Sequence, residues 1–203
     1  MIRNIVFDMG RVLLSYEPML PCLRCTGNTA DAKLVCDAIF NHPQWAEKID
    51  GGLITDEAYL KLAQSRLETP ALKEAAARVM ENWELDALWP KEGMSALVDE
   101  LLASGYALYV LSNTGLRFHD FEYKIPRIGE FGGRLLSAEE HLLKPSPAIY
   151  ERFCEKFGVL AEECFFIDDV MANVEGAKTI GMNAYCFADG DVARLREFIR
   201  LMK

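Results

Sequence analysis

The strongest constraint on this chain is a set of short apolar runs that do not alternate with polar residues. The first is Ile5-Val6-Phe7, followed at once by Asp8. The others lie far downstream: Ala107-Leu108-Tyr109-Val110-Leu111 before Ser112, Cys164-Phe165-Phe166-Ile167 before Asp168 and Asp169, and Ala184-Tyr185-Cys186-Phe187. A strand with one wet face alternates. A run that stays apolar is buried on both faces, as in a parallel sheet covered by helices. Helical patterns fill the intervals. Met94, Leu97, Val98, Leu101 and Leu102 recur at helical spacing, and Gly105 closes that helix. Ser146 and Pro147 read as an N-cap and first-turn proline, with Ile149, Tyr150, Phe153 and Phe157 as the buried stripe and Gly158 as the stop. Val170, Val174, Ala177 and Ile180 precede Gly181, and Val192, Leu195, Phe198, Ile199 and Met202 outline a last helix. Strands alternating with helices predict an α/β fold with a doubly wound parallel sheet.

Residues 15–88 break the alternation. They hold no convincing strand, and helical patches near 30–41, 55–67 and 70–82 are interrupted at Pro43, Asp50-Gly51-Gly52 and Pro70. A structureless connection of that length is implausible in a compact domain. The expectation is a helical domain over 15–88, inserted after the first strand, with the α/β core formed by 1–14 and 89–203.

Ligands of open parallel sheets bind beyond the carboxyl ends of the strands. Those ends carry Asp8, Ser112-Asn113-Thr114 and Asp168-Asp169, with Lys144 just ahead of the helix at Ser146. Carboxylates packed together resist joint ionisation unless a cation offsets them. A divalent ion does so, and hard oxygen ligands favour Mg²⁺. A carboxylate-held metal with a lysine and a hydroxyl nearby suits a phosphoryl group, and one carboxylate is then placed to attack phosphorus. Overall charge agrees once its meaning is narrowed. With 31 acidic against 22 basic residues, a net −9, the chain lacks the basic face of a nucleic-acid binder and has no attraction to anionic membranes. A small phosphorylated metabolite needs only one local positive site.

These residues carry a resemblance. Phe7-Asp8-Met9-Gly10-Arg11-Val12-Leu13, Leu111-Ser112-Asn113-Thr114, Lys144-Pro145 and Phe166-Ile167-Asp168-Asp169 resemble, in order, the four motifs of the haloacid dehalogenase (HAD) superfamily, and Glu175-Gly176-Ala177 with Ile180-Gly181 extends the fourth. The chain is similar to small sugar-phosphate phosphatases of the α-D-glucose-1-phosphate phosphatase type. The resemblance implies a HAD-like Rossmannoid sheet with a helical cap inserted after the first strand, and a Mg²⁺-dependent phosphatase working through an aspartyl-phosphate on a small phosphorylated metabolite, a sugar phosphate. It implies Asp8 as nucleophile and metal ligand, Gly10 as a ligand through its carbonyl, and Asp169 and Asp168 as further ligands, Asp169 the more direct. Lys144 would stabilise nucleophile and phosphate. Ser112, Asn113, Arg11 and Asn173 would lie on the substrate side or support it.

One position departs from the family. Gly10 stands where superfamily phosphatases usually carry a general acid/base aspartate, two residues after the nucleophile. Losing such a proton transfer costs ~10²–10⁴-fold in rate unless something replaces it. Glucose-1-phosphate phosphatase-like relatives look alike here, but Gly10 keeps alternatives open: a dehalogenase, a phosphonatase using Lys48, or a feeble phosphate-binding protein.

Other features carry plainer readings. Cys22 and Cys25 form a C-x-x-C without a second ligand pair, and the six cysteines read as reduced thiols of a cytoplasmic protein, since the Met1–Asp8 start is no export signal. No run approaches a membrane span. His42, His119 and His141 read as packing or surface residues, and Trp45, Trp83 and Trp89 as packing of the insertion rather than a sugar platform. Asp50-Gly51-Gly52 is either a plain turn or a loop pointing into the cleft. Oligomeric state is not specified.

Overall fold

Every one of those apolar runs is a strand of one parallel sheet. The computed structural model describes residues 1–202. In chain order it contains β1 (Asn4–Phe7), β2 (Leu14–Tyr16), α1 (Met19–Thr26), α2 (Thr29–Ile39), a π-helical turn (Trp45–Asp50), α3 (Asp56–Ser65), α4 (Pro70–Ala87), β3 (Leu88–Pro90), α5 (Met94–Ala103), β4 (Ala107–Ser112), the short α6 (Phe118–Phe121), β5 (Gly133–Leu136), the short α7 (Ser137–Glu140), α8 (Pro147–Phe157), β6 (Cys164–Asp168), α9 (Met171–Thr179), β7 (Asn183–Cys186) and α10 (Val192–Leu201). The sheet has five strands in the order β5-β4-β1-β6-β7. The chain runs outward from β1 on one side through β4 and β5, and on the other through β6 and β7. The crevice beyond β1 is therefore the topological switch point.

Register puts the chemistry at one height. Phe7 pairs with Val110 on β4 and with Ile167 on β6, so Asp8, Leu111 and Asp168 come level one step later. The strands are apolar throughout because alternate residues enter different cores. Ile5, Phe7, Leu108, Val110, Phe165 and Ile167 join the cluster that continues into the insertion. Val6, Tyr109, Leu111 and Phe166 pack instead against Ile149, Tyr150 and Phe153 of α8.

The structure corrects several expectations. Residues 15–88 are not free of strand: β2 pairs antiparallel with β3, Ser15 opposite Trp89, so a two-stranded ribbon bounds the insertion where it leaves and rejoins the core. α1 was not anticipated, because Pro21 in its first turn and the Gly27 stop leave only a short pattern. β5 was missed for a packing reason. A Cβ on Gly132 would lie 2.8 Å from the Tyr109 ring, and one on Gly133 would lie 2.2 Å from the Phe157 ring. The strand opens on glycines that make room for aromatics, which erases its sequence signal. Ser146 precedes α8, and Pro147 opens it, but the serine side chain does not cap it.

Within the insertion, α3 and α4 are capped by Thr55 and Thr69, whose side chains accept from the Ala58 and Leu72 N–H groups. α4 is kinked at Asn82 (φ −148°, ψ 34°). Carbonyls freed around that kink are taken up from the core: Arg117 donates to Met80 O and to Glu81 O (2.9 Å), and its Nη2 reaches both Glu84 carboxylate oxygens at 2.7 and 2.8 Å. Lys124 donates to Glu84 O (2.6 Å) and Leu88 O (2.8 Å). Cations at the carboxyl end of a helix are electrostatically favoured. Here they also fix α4, and with it Trp83, over the sheet. No helix among the described residues is long and apolar enough to cross a membrane.

Candidate active site

Asp8, Asp168 and Lys144 form one buried ion cluster beyond the central strands. Lys144 Nζ donates to Asp8 Oδ1 and Asp168 Oδ2, both at 2.7 Å, and to Leu111 O at 3.1 Å. Lys144 is held from the second strand end: Asn113 Nδ2 donates to Lys144 O (3.0 Å), and Asn113 Oδ1 accepts from Lys144 N (2.9 Å). Asp168 is saturated. Its Oδ1 accepts from Val170 N (2.8 Å), and Asn173 Nδ2 donates to both of its oxygens at 3.0 and 3.1 Å. Asp169 points less deeply and lies 3.7 Å from Arg11.

Proton affinities follow from this packing. Burial pushes Asp8 up to about 6; Lys144 opposes that shift and the charge of Asp168 adds to it. Burial alone would lower Lys144, but Asp8 and Asp168 outweigh it and hold its proton more firmly than usual. Asp169 is raised by burial and then by Asp168, with Arg11 opposing. One oxygen from each of Asp8, Asp168 and Asp169 falls within 4.8 Å of the others. Three hard oxygens so close fit a small divalent cation. They are the only such His/Cys/Asp/Glu group among the described residues.

Above the cluster opens a cavity of about 240 Å³. Its floor carries Asp8, Gly10, Ser112, Asn113 and Asp169, and Arg11 stands at its side. Its walls are mostly aromatic and come from both halves of the molecule: Phe40, Trp45 and Trp83 from the insertion, Phe118 and Phe121 from the segment after β4. Trp83 meets Phe40, Trp45 and Phe121 edge-on at 5.5, 5.8 and 5.9 Å. Asp50 also lines the cavity, so its turn points into the cleft.

Thus Asp8, Gly10, Arg11, Ser112, Asn113 and Asp169 meet at the cavity, while Lys144, Asp168 and Asn173 stand behind it. The Asn113 side chain is committed to Lys144, and the Asn173 side chain to Asp168. Trp45 and Trp83 pack the insertion and wall the cavity at once, while Trp89, on β3, does not line it. Sequence reasoning missed Tyr16, Phe40, Arg117, Phe118 and Phe121. Each is an ordinary residue of a helix, ribbon or loop, with no local signal that sets it apart from a packing residue. Lys48 is not in the cavity, and Glu57 pairs with Lys61 on the surface (2.9 Å). His42 accepts from Gln44 N, His119 meets Glu139 at 2.8 Å, and His141 meets Gly51 O at 3.0 Å. Cys22 and Cys25 lie on α1 without a third ligand, and all six cysteines are free.

A family model for haloacid dehalogenase-like hydrolases matches residues 2–181. The chain belongs to that family. Among its relatives, the sesquiterpene phosphatase astK of Aspergillus oryzae is 29% identical over 178 residues, covering 87% of this chain and 85% of the relative. A HAD-like hydrolase from Porphyromonas gingivalis shares the fold with a TM-score of 0.72 at 23% identity, over 98% of both chains. A HAD family enzyme from Bacteroides thetaiotaomicron, solved with magnesium and inorganic phosphate, gives 0.66 at 22% identity, over 92% of this chain and 94% of that one. The α/β sheet with a helical insertion is that of these HAD hydrolases.

Proposed function

We propose that this hydrolase is a Mg²⁺-dependent phosphomonoesterase that cleaves a small phosphate ester through an aspartyl-phosphate on Asp8. The observation that carries the reading is the Asp8 carboxylate at the cavity floor, with Oδ1 tied to Lys144 and the Asp168–Asp169 pair beside it. Asp8 and Asp169 would hold the metal directly, since the oxygens of Asp168 are already filled by Lys144, Val170 and Asn173; the Gly10 carbonyl is the remaining candidate. When bound, the metal supplies positive charge against the phosphoryl oxygens and keeps Asp8 ionised.

Lys144 fixes Asp8 Oδ1 and leaves Oδ2 to attack phosphorus. Ser112 and the Asn113 main chain, which line the cavity, would bind the phosphoryl oxygens, and Arg11 would add charge at the rim. Asn173 and Asn113 position Asp168 and Lys144. Residues 15–88 act as the cap that shuts water from the first step, over a core of 1–14 and 89–203. Six free cysteines support a reducing, cytoplasmic setting.

The leaving group is better read as apolar than as the sugar suggested by the sequence resemblance. Aromatic rings form most of the wall; the polar groups there are Tyr16, Asp50, Thr114 and Arg117, whose Nη atoms are already engaged by α4, and each sugar hydroxyl left without a partner would cost about 1–3 kcal/mol. The sesquiterpene phosphatase relative points the same way. The test is phosphate release from a panel of alkyl, aryl, isoprenoid and sugar phosphates, with and without Mg²⁺, beside Asp8→Asn. Mg²⁺-dependent release abolished in Asp8→Asn is expected. Release that survives Asp8→Asn, or metal-independent dehalogenation, overturns the reading.

A further inference from the structure

We propose that the Asp50 carboxyl, contributed by the insertion, gives the leaving oxygen its proton and later takes one from water, filling the role left vacant at Gly10. The inference rests on the phosphatase reading above.

The need is chemical. Expelling an alkoxide from phosphorus without a proton donor forfeits ~10²–10⁴-fold in rate. Gly10 supplies no side chain, and the space beside it is open: a Cβ there would meet nothing within 4 Å. Among the residues lining the cavity no histidine is present. Asp8 is the nucleophile, Asp169 belongs to the metal, and Arg11 and Arg117 do not release protons. The Tyr16 phenol is pushed up, out of useful range, by burial and by the charge of Asp50. Asp50 is the one remaining group that can both give and take a proton.

Its surroundings suit the task. Asp50 is 9% exposed and forms no salt bridge among the described residues. Burial raises its proton affinity well above the ordinary value and Asp8 raises it further, while Lys144 and the Gly115 N–H act in the opposite direction. Lys144 contacts Asp8 and not Asp50, so of the two carboxyls facing the cavity one has a charged partner and the other has none, the asymmetry that assigns a nucleophile and an acid.

Position is fixed as well. Ser137 donates its hydroxyl to Asp50 O, and Ser137 Oγ in turn accepts from Thr114 N (2.9 Å). A Cβ on Gly52, at φ +67°, would lie 2.2 Å from Ala138 O, and one on Gly115 would lie 2.8 Å from Ile49 Cγ2. The turn carrying Asp50 is thus locked onto the core by contacts that only glycine permits. Fixed placement is what proton transfer requires.

The step balances. Asp8 Oδ2 bonds to phosphorus as the ester P–O bond breaks, and the leaving oxygen takes the Asp50 proton and departs as an alcohol. Water then bonds to phosphorus while its proton passes to the Asp50 carboxylate. The Asp8–phosphorus bond breaks, releasing inorganic phosphate and restoring both carboxyl groups.

The experiment measures kcat/KM with Mg²⁺ for 4-nitrophenyl phosphate, whose leaving group needs no proton, and for an alkyl phosphate, whose leaving group does. Asp50→Asn is expected to lose ~10²–10⁴-fold on the alkyl ester and less than about tenfold on the nitrophenyl ester. Adding Gly10→Asp to Asp50→Asn is expected to recover at least about tenfold on the alkyl ester, because the open space beside residue 10 admits the new acid. Equal losses on both esters, or none, would overturn the proposal. Should the variants not fold, the wild-type protein decides: a weak dependence of kcat/KM on leaving-group acidity across substituted phenyl and alkyl phosphates supports it, and a steep one refutes it. Wild-type protein that releases phosphate from neither ester sinks the phosphatase reading itself, a different outcome from either.

Discussion

Lys144→Met is expected to destabilise the protein by about 3–5 kcal/mol at neutral pH, the range for removing one partner of a buried ion pair. The Lys144 side chain is 1% exposed, and its ammonium lies 2.7 Å from both Asp8 and Asp168. Methionine keeps most of the side-chain volume, so little of the loss would come from packing. What remains is two carboxylates at the end of neighbouring strands with no cation between them. For a domain of this size each kcal/mol shifts the melting temperature by about 2–4 °C, so a fall of roughly 6–20 °C should follow.

The assay is urea unfolding and thermal melting with EDTA present. Lys144 holds its proton more tightly folded than unfolded, so its contribution is complete below its ordinary value of 10.5 and disappears only as pH rises through the higher folded value. The deficit of the variant should therefore be full at neutral pH. It should shrink in acid, where the orphaned carboxylates take up protons. A variant that melts with the wild type at neutral pH in EDTA would refute Lys144 as the counter-charge of this cluster.

Three further outcomes follow from the same geometry. Mg²⁺ at a hundredfold excess over its Kd should stabilise the wild type by about 2.7 kcal/mol and Asp169→Asn by far less, read as a thermal shift. Arg117→Met should cost about 2–3 kcal/mol in urea unfolding and raise KM more than it lowers kcat, because it releases Glu84 and the kinked end of α4 that carries Trp83. Asp50→Asn should alter the pH profile of stability. The folded protein holds the Asp50 proton that the unfolded chain releases, so the Asp50 contribution to stability is full below 3.8 and is lost as pH rises toward the folded value; the variant lacks that fall and is the more stable protein in alkali.

Much of the sheet was legible because its strands are buried on both faces. Val6 and Phe7 enter different cores, so neither position tolerates a polar residue, and the run stays apolar in sequence. β5 escaped for the opposite reason: Gly132 just before it and Gly133 at its head are chosen by the Tyr109 and Phe157 rings that press on them. The ribbon of β2 and β3 escaped because three-residue strands 74 positions apart leave no local pattern, and their pairing exists only once the insertion has folded (Leu14 opposite Pro90, Tyr16 opposite Leu88).

The site divides along the same line. Asp8, Ser112 and Asp168 sit where strands end, and a parallel sheet in register brings strand ends together whatever the rest of the chain does. Their meeting could be read from sequence, as could Lys144 before α8. The walls could not. Phe40, Trp45, Trp83 and Phe121 come from segments whose only local signature is that of buried aromatics, and each is as well explained by core packing. They serve both purposes: the T-shaped contacts around Trp83 that stabilise the insertion also line the space above Asp8. Asp50 lies between these cases. Its Asp-Gly-Gly turn was visible, but whether the carboxyl faced solvent or the cleft depended on Ser137, Ala138 and Gly115, residues of the core that accept the turn at close range. Specificity and proton transfer would then both reside in the insertion, while the floor that handles phosphorus stays with the sheet. Substitution in 15–88 could thus change which ester is cleaved without disturbing the ion cluster that Lys144 holds together.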